Sequence, residues 1–267
     1  KKLLKKIKRL FKNNSHTAPF KVLAGFGRSL NRLYENRNHD PYSNGEYILL
    51  KKIKRFNPKV IIDGGANLGN YSLNVNKIIP DSNIYAFEPV EKTFNLLKNN
   101  ISDYSKIIAV NKGLFDKNCE MQINVYPSHT HSSIYDIESL PYNVVEKEKI
   151  NLIKGDDFIK ENNISNIDLL KLDLEGAEFD AIQGFSKALN EKKIRIIQFE
   201  YGYINITTKK LLIDYYNLFS KRGYLVGKIF PKYVEFRPYK FKYEDFIGPN
   251  FIAVRENDVE LINQISR

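Results

Sequence analysis

Residues 59–69 read KVIIDGGANLG, and the fold follows from this stretch. An apolar run of strand length ends on Asp63 and breaks into a glycine-rich turn. Residues 69–79 then read as a helix, stopped by Pro80-Asp81. A strand feeding a helix through a tight turn opens a βαβ unit. The pattern repeats outward. NIYAFE (83–88) reads as a second strand broken by Pro89, residues 90–101 as a helix, and KIIAVN (106–111) as a third strand. IDLLKLD (167–173) and RIIQFE (195–200) are further strands, with helices over about 177–189 and 208–221. Gly223 fits the last helix's C-terminus. YLVGKIF (224–230) and NFIAVR (250–255) have no clear helix between them, which predicts an antiparallel pair. The expected fold is α/β: a doubly wound, seven-stranded, mostly parallel sheet with helices on both faces. Residues 114–157 leave this rhythm. QINVY (122–126) alternates like a strand, and the rest is polar and aromatic without a period. We expect an insertion over the C-terminal edge of the sheet, where such folds bind ligands.

The turn Asp63-Gly64-Gly65-Ala66-Asn67-Leu68-Gly69 carries the first chemical signal. Its glycines let the backbone approach a ligand, and the helix behind it offers free N–H groups. A dinucleotide site would space them G-x-G-x-x-G around a pyrophosphate. Here the spacing is G-G-x-x-x-G and an acid precedes it, which disfavours an NAD-dependent dehydrogenase. Asp63 suits a ligand with a cationic amine, and S-adenosylmethionine is such a ligand. Glu88 ends the second strand, where an acid can accept both ribose hydroxyls. Pro89 follows it, and Asn111, Lys112 and Gly113 end the third strand, where an adenine would lie.

Composition bounds the partners. The 267 residues carry a formal charge of +11. Eleven basic residues and a single acid, Glu35, fall within residues 1–39, so the remainder is nearly neutral. The basicity belongs to an N-terminal arm and not to a polyanion-binding body. The arm opens KKLLKKIKRLFK, with Leu3, Leu4, Ile7, Leu10 and Phe11 at helical spacing. Two readings stand: residues 1–12 contact an anionic membrane surface, or the stripe packs on the body or on a second subunit of a homo-oligomer. No stretch has the length of an apolar membrane span. The lone Cys119 excludes an internal disulfide and a cysteine-cluster metal site, and fits a reducing compartment. The expected location is cytoplasmic, peripheral to the inner face of the membrane. The sequence begins at Lys1 and its sole methionine is Met121, which reads as a trimmed start.

VIIDGGANLGNYS (60–72), IYAFEPV (84–90) and IDLLKLDLEGAEFDAIQG (167–184) together resemble the FkbM-type S-adenosylmethionine-dependent methyltransferases. The resemblance covers about residues 58–256. It leaves residues 1–57 as the basic helical arm and 257–267 as a C-terminal tail. It implies O-methylation of a sugar, glycan or natural-product hydroxyl. It also implies cofactor or acceptor contact for Ser132, within a serine-containing segment. One departure is visible: many relatives carry a Thr-Leu-Asp-Asp type segment before the third block, where this chain has Ile153-Lys154-Gly155-Asp156-Asp157.

Methyl transfer to an alcohol needs alignment and a group that takes the hydroxyl proton. Asp173, at the end of its strand near the expected methyl, is the first candidate, followed by Glu175. His129 and His131 sit in the polar insertion, and His131 is a further candidate base. Asp173, Glu175 and Glu178 also admit a Mg²⁺ reading, because that ion takes oxygen ligands. Against it, acids suit a helix's first turn for its dipole alone. Glu200 could line an acceptor pocket, as could Tyr126, Tyr135, Tyr142, Tyr201 and Tyr203. His16 and His39 receive no role. A DNA partner is excluded: the turn after residue 173 is Leu-Glu-Gly, without the prolines of base-amine methylating enzymes, and Asn118 rather than proline precedes Cys119. RNA ribose 2′-O-methylation and a non-catalytic cofactor-binding module remain as alternatives.

Overall fold

The protein was analysed as a computed structural model that describes residues 2–126, 132–137 and 143–266. The first strand, β1 (Val60–Gly64), lies mid-sheet, with β2 (Asn83–Phe87) and β3 (Ile107–Val110) extending in parallel on one side. A separate three-stranded sheet follows: β4 (Gly113–Phe115), β5 (Cys119–Val125) and β6 (Glu146–Lys154), in the order β4-β6-β5. The main sheet resumes on the other side of β1 with β7 (Ile167–Leu172) and β8 (Ile194–Glu200), both parallel. It closes with β9 (Tyr224–Ile229), β10 (Val234–Phe236) and β11 (Asn250–Arg255), which pair antiparallel. The full order is β10-β9-β11-β8-β7-β1-β2-β3. The seven expected strands are present, and short β10 adds an eighth at the edge. Strand order reverses between β1 and β7, the switch point where a crevice opens at strand C-termini.

Period-two alternation sorts the strand residues to two faces. Ile62, Leu170 and Ile197 pack with α6 (Gly155–Glu161), α7 (Glu178–Gly184), α8 (Ser186–Asn190) and α10 (Leu212–Ser220). Their neighbours Ile61, Leu169 and Ile196 pack with α3 (Glu46–Ile53), α4 (Asn70–Ile78), α5 (Glu91–Asn100) and α11 (Val259–Ile265). Each buried Leu, Ile or Phe in these layers contributes about 1.5–3 kcal/mol. A smaller core of Val90, Phe115, Ile123, Ile150, Leu152 and Ala177 joins the three-stranded sheet to the domain.

Four boundaries differ from expectation. The helix expected over 177–189 is two, α7 and α8, parted at Phe185. Gly184 there lies so close to β4 that a Cβ would sit 2.0 Å from the Phe115 carbonyl oxygen. The helix expected over about 208–221 is α10, which starts later, at Leu212, and a short α9 (Ile204–Thr208) precedes it. Residues 257–267, read as a tail, contain α11, whose Leu261 and Ile265 are fully buried. The arm is also shorter than residues 1–57. The helices α1 (Lys2–Asn13) and α2 (Ala18–Tyr34) bury no residue, whereas α3 buries Tyr47, Leu49, Leu50 and Ile53. The chain joins the body at Glu35 and Asn36. Glu35 accepts from Lys228 Nζ at 3.3 Å and Arg237 Nη2 at 3.1 Å. Burial opposes its charge, but these two cations prevail and hold its carboxyl below the usual range. Asn36 Nδ2 donates to the carbonyls of Asn44 and Ile229.

Candidate active site

A cavity of about 780 Å³ opens over the C-terminal ends of β1, β2, β7 and β8. Its floor is the turn from β1 into α4. Gly65 there has φ +78°, and a Cβ would lie 1.9 Å from the Asp173 carbonyl oxygen. No other residue fits where the turn presses on the end of β7. Gly64 closes β1 and Gly69 precedes α4; neither lines the cavity. Asn67, in the left-handed region at φ +49°, does line it. The Asn67 N–H donates to Glu88 Oε2 at 3.1 Å, and the Val90 N–H to Oε1 at 3.0 Å. Burial pushes the Glu88 carboxyl up to about 7, against the pull of those two amides. Pro89, Gly113, Leu114, Phe115 and Leu152 form an apolar slot in the cavity wall.

Asp63 is fully buried and not part of the cavity lining. The Ser72 hydroxyl donates to its Oδ2 at 2.7 Å, which ties β1 to α4. Its Oδ1 takes no hydrogen bond among the described residues and lies 3.6 Å from Lys171 Nζ. Lys171 Nζ also meets Asp173 Oδ2 at 3.2 Å and sits 4.9 Å from the centre of the Tyr71 ring. Burial works against the lysine's charge, yet Asp173 and Asp63 prevail and hold its pKa above the usual value. Asp63, expected to face a ligand amine, is engaged here with Ser72 and Lys171.

Acids dominate the rest of the wall. Asp173 follows β7 with its side chain 47% exposed. Glu175 has φ +48°, and its carboxyl is pushed well up by burial and by facing Asp173 and Glu178. Glu200, at the end of β8, is pushed up likewise by burial and by Asp173, Glu175 and Glu178. Glu46 lines the cavity from α3 and accepts from Asn250 Nδ2 at 2.5 Å. Glu178 lies behind the wall and does not line the cavity. It is fully buried and accepts from the N–H groups of Leu174 at 2.6 Å and Gly176 at 3.1 Å. Its oxygens therefore brace the turn after β7. Among the described residues no three His, Cys, Asp or Glu side chains are grouped to hold a metal ion. The geometry thus does not support the Mg²⁺ reading of Asp173, Glu175 and Glu178.

Gly65, Asn67, Glu88, Pro89, Gly113, Ser132, Asp173 and Glu175 thus meet at one cavity. Asn111 and Lys112 lie off it. Asn111 Nδ2 donates to the carbonyls of Glu88 and Pro89 and shapes the turn beneath. His131, His129 and Tyr142 lie outside the described residues. Tyr126, Tyr135, Tyr201 and Tyr203 are absent from the wall. Tyr135 and Tyr201 instead donate to Asp180 and Glu244, each at 2.6 Å. The tyrosines that do line it, Tyr47 and Tyr71, went unremarked in the sequence, as did Lys171 and Asn250 as site groups. His39, given no role, also lines the cavity, with Nδ1 3.8 Å from Glu200 Oε1. Lys171 had a readable signal, a cation alternating with Asp173 on a strand end. His39 had none, because its approach to Glu200 is purely tertiary.

The model of the methyltransferase FkbM domain matches residues 63–226, from the last acid of β1 into β9. The chain belongs to the FkbM methyltransferase family. Its relatives include "Methyltransferase 1" of Beauveria bassiana, 28% identical over 142 residues, 46% of this chain and 57% of that protein. The hexuronic acid methyltransferase AglP of Haloferax volcanii is 25% identical over 160 residues, 58% of this chain and 62% of that protein. The chain thus spans less than two thirds of either relative. A crystal structure of a methyltransferase FkbM from Methylobacillus flagellatus is 17% identical. The match covers 74% of this chain and 44% of that one, with a TM-score of 0.49.

Proposed function

We propose that this FkbM-family chain is an S-adenosylmethionine-dependent O-methyltransferase acting on a hydroxyl of a sugar, glycan or natural product. The observation that carries the reading is Glu88. It is a buried carboxylate on the cavity wall, held by two backbone amides one turn from the Gly65 approach. A ribose diol placed there finds an acceptor, and the slot of Pro89, Leu114, Phe115 and Leu152 suits a purine face. The surplus of acids over Lys171 favours a ligand that carries positive charge. The acid-rich wall disfavours an RNA phosphate backbone for the same reason.

S-adenosylmethionine, when bound, brings the methyl group on an already activated leaving group. The protein's part is to align the acceptor and take its proton; alignment is worth about 7–11 kcal/mol in such reactions. Lys171 holds Asp173 by an ion pair, so Asp173 can accept from an acceptor hydroxyl in a fixed direction. Glu175, whose carboxyl burial pushes well up, takes the proton. Ile123, Ile134 and Ile150 exclude water along one side. Calorimetry with the full chain tests the reading. We expect micromolar binding of S-adenosylmethionine that weakens at least about tenfold in Glu88→Ala, a loss of hydrogen bonds to a charged group. Binding of NAD with no heat from S-adenosylmethionine would overturn it.

A further inference from the structure

We infer that α1 and α2 form a docking surface for an anionic lipid bilayer. Neither helix buries a residue. On α1, Leu3, Leu4, Ile7, Leu10 and Phe11 share one face, and Lys2, Lys5, Lys8, Arg9 and Lys12 occupy the opposite arc. Leu3, Leu4 and Leu10 are 72%, 63% and 58% exposed. On α2, Val22, Phe26, Leu30 and Leu33 form a second exposed stripe, with Lys21, Arg28 and Arg32 behind it. Phe11 and Phe20 meet edge to face with ring centres 4.6 Å apart, which joins the two helices.

Charge decides the occupant. Residues 2–34 hold nine Lys or Arg and no acid. The nearest acid, Glu35, is spent inward on Lys228 and Arg237, so it neutralises nothing on the helices. Two copies meeting on these stripes would bring like charges together. A nucleic acid would satisfy the cations and leave the aliphatic faces in water. The bilayer interface satisfies both: acyl chains cover the stripes and anionic headgroups meet the cations. The joint at Glu35 and Asn36 fixes the arm's root to the body. Residues 39–47, which follow directly, contribute His39, Pro41, Glu46 and Tyr47 to the cavity wall. Among the described residues no helix is long and apolar enough to cross a membrane.

Co-sedimentation of the full chain with vesicles tests the inference. Protein should pellet with mixed phosphatidylcholine and phosphatidylglycerol vesicles and stay in solution with phosphatidylcholine alone. Binding should fall at least about tenfold between about 0.1 M and 0.5 M salt. The triple variant Leu4→Ser, Ile7→Ser, Leu10→Ser should lose at least about tenfold in vesicle binding, since about three buried side chains are removed. Its melting temperature should be unchanged. The second triple, Val22→Ser, Phe26→Ser, Leu30→Ser, should behave alike. The inference is overturned by wild-type vesicle binding in both triples or by equal binding to neutral vesicles. A melting-temperature loss of several degrees would show that the stripe packs on the body and would overturn it too. So would a dimer that the triples dissociate, or an RNA duplex bound in place of vesicles.

Discussion

The wall with Gly65, Asn67, Glu88 and Pro89 comes from the ends of adjacent strands β1 and β2 and the turns that leave them. The opposite wall assembles His39 and Glu46 from the N-terminal part of the chain, the Asp173 and Glu175 side chains from the turn after β7, Glu200 from β8 and Asn250 from β11. Glu46 and Asn250 share a hydrogen bond although 204 positions apart. The first wall is held by backbone: amides fix Glu88, and a bare Cα admits the Asp173 carbonyl. The second is held by side chains, among them three acids whose mutual repulsion burial intensifies. The first should tolerate no change of shape and the second should tolerate little change of charge.

The severest test of the first wall is Gly65→Ala. The new Cβ meets a backbone oxygen that cannot move without shifting β7. Overpacking costs roughly 1–3 kcal/mol, and a left-handed backbone at an L-residue adds about 1–2 kcal/mol. We expect S-adenosylmethionine binding to fall more than about 100-fold by calorimetry, with the melting point lowered by several degrees. Near-normal binding would mean that the turn has slack, and the contrast between the walls would fail.

The matching test of the second wall is Glu175→Gln, which keeps shape and removes charge. Turnover should fall about 10²–10⁴-fold, as for loss of a general base. Cofactor affinity should stay within about threefold, a change under 1 kcal/mol. A carboxyl raised by burial and by Asp173 is protonated at acid pH, so the wild-type rate should climb as pH rises. That limb should vanish in the variant. Equal loss of cofactor affinity and turnover would merge the two walls into one.

Much of the first wall was legible because local chain geometry makes it. An apolar run, an acid, two glycines and a second acid on the next strand need no tertiary knowledge to be placed. Asp63 was legible as a residue but not in its partners, since Lys171 and Ser72 reach it only once β7 and α4 pack on β1. Glu178 was ambiguous because an acid in a helix's first turn serves a metal, a dipole or a backbone turn equally well in sequence. The split of α7 from α8 and the buried α3 and α11 were hidden. Each depends on close approach to another element: Gly184 against Phe115, Leu50 and Leu261 in a shared core. His39 and Asn250 belong to no pattern at all.

A milder perturbation separates the walls by pH. The Glu88 carboxyl is raised to about 7, so it is mostly protonated at pH 6 and ionised at pH 8. The carboxylate is the better acceptor for two ribose hydroxyls. Cofactor affinity should therefore drop about tenfold from pH 8 to pH 6, which calorimetry reads directly. The stability effect has the opposite sign. Between about 4.5 and 7 the folded protein holds a proton at Glu88 that the unfolded chain has lost. Stability without cofactor should therefore decline as pH rises through that window. Glu88→Gln should flatten the affinity curve and reduce the slope of the stability curve, to which the raised Glu175 and Glu200 also contribute, and a pH-independent cofactor affinity in the wild type would take Glu88 out of the contact.

The smallest effect should come from His39→Ala. Its side chain is 61% exposed and its Nδ1 stands 3.8 Å from Glu200 Oε1, so the pair is screened and worth about 0.2–1 kcal/mol. That corresponds to at most roughly a fivefold rise in KM for the acceptor, with cofactor affinity unchanged. Combining it with Glu200→Gln sharpens the point. If the two side chains act together, the double variant should be no worse than Glu200→Gln alone. Additive losses would separate them, leaving His39 to meet the acceptor by itself. An effect on cofactor affinity would move His39 to the first wall.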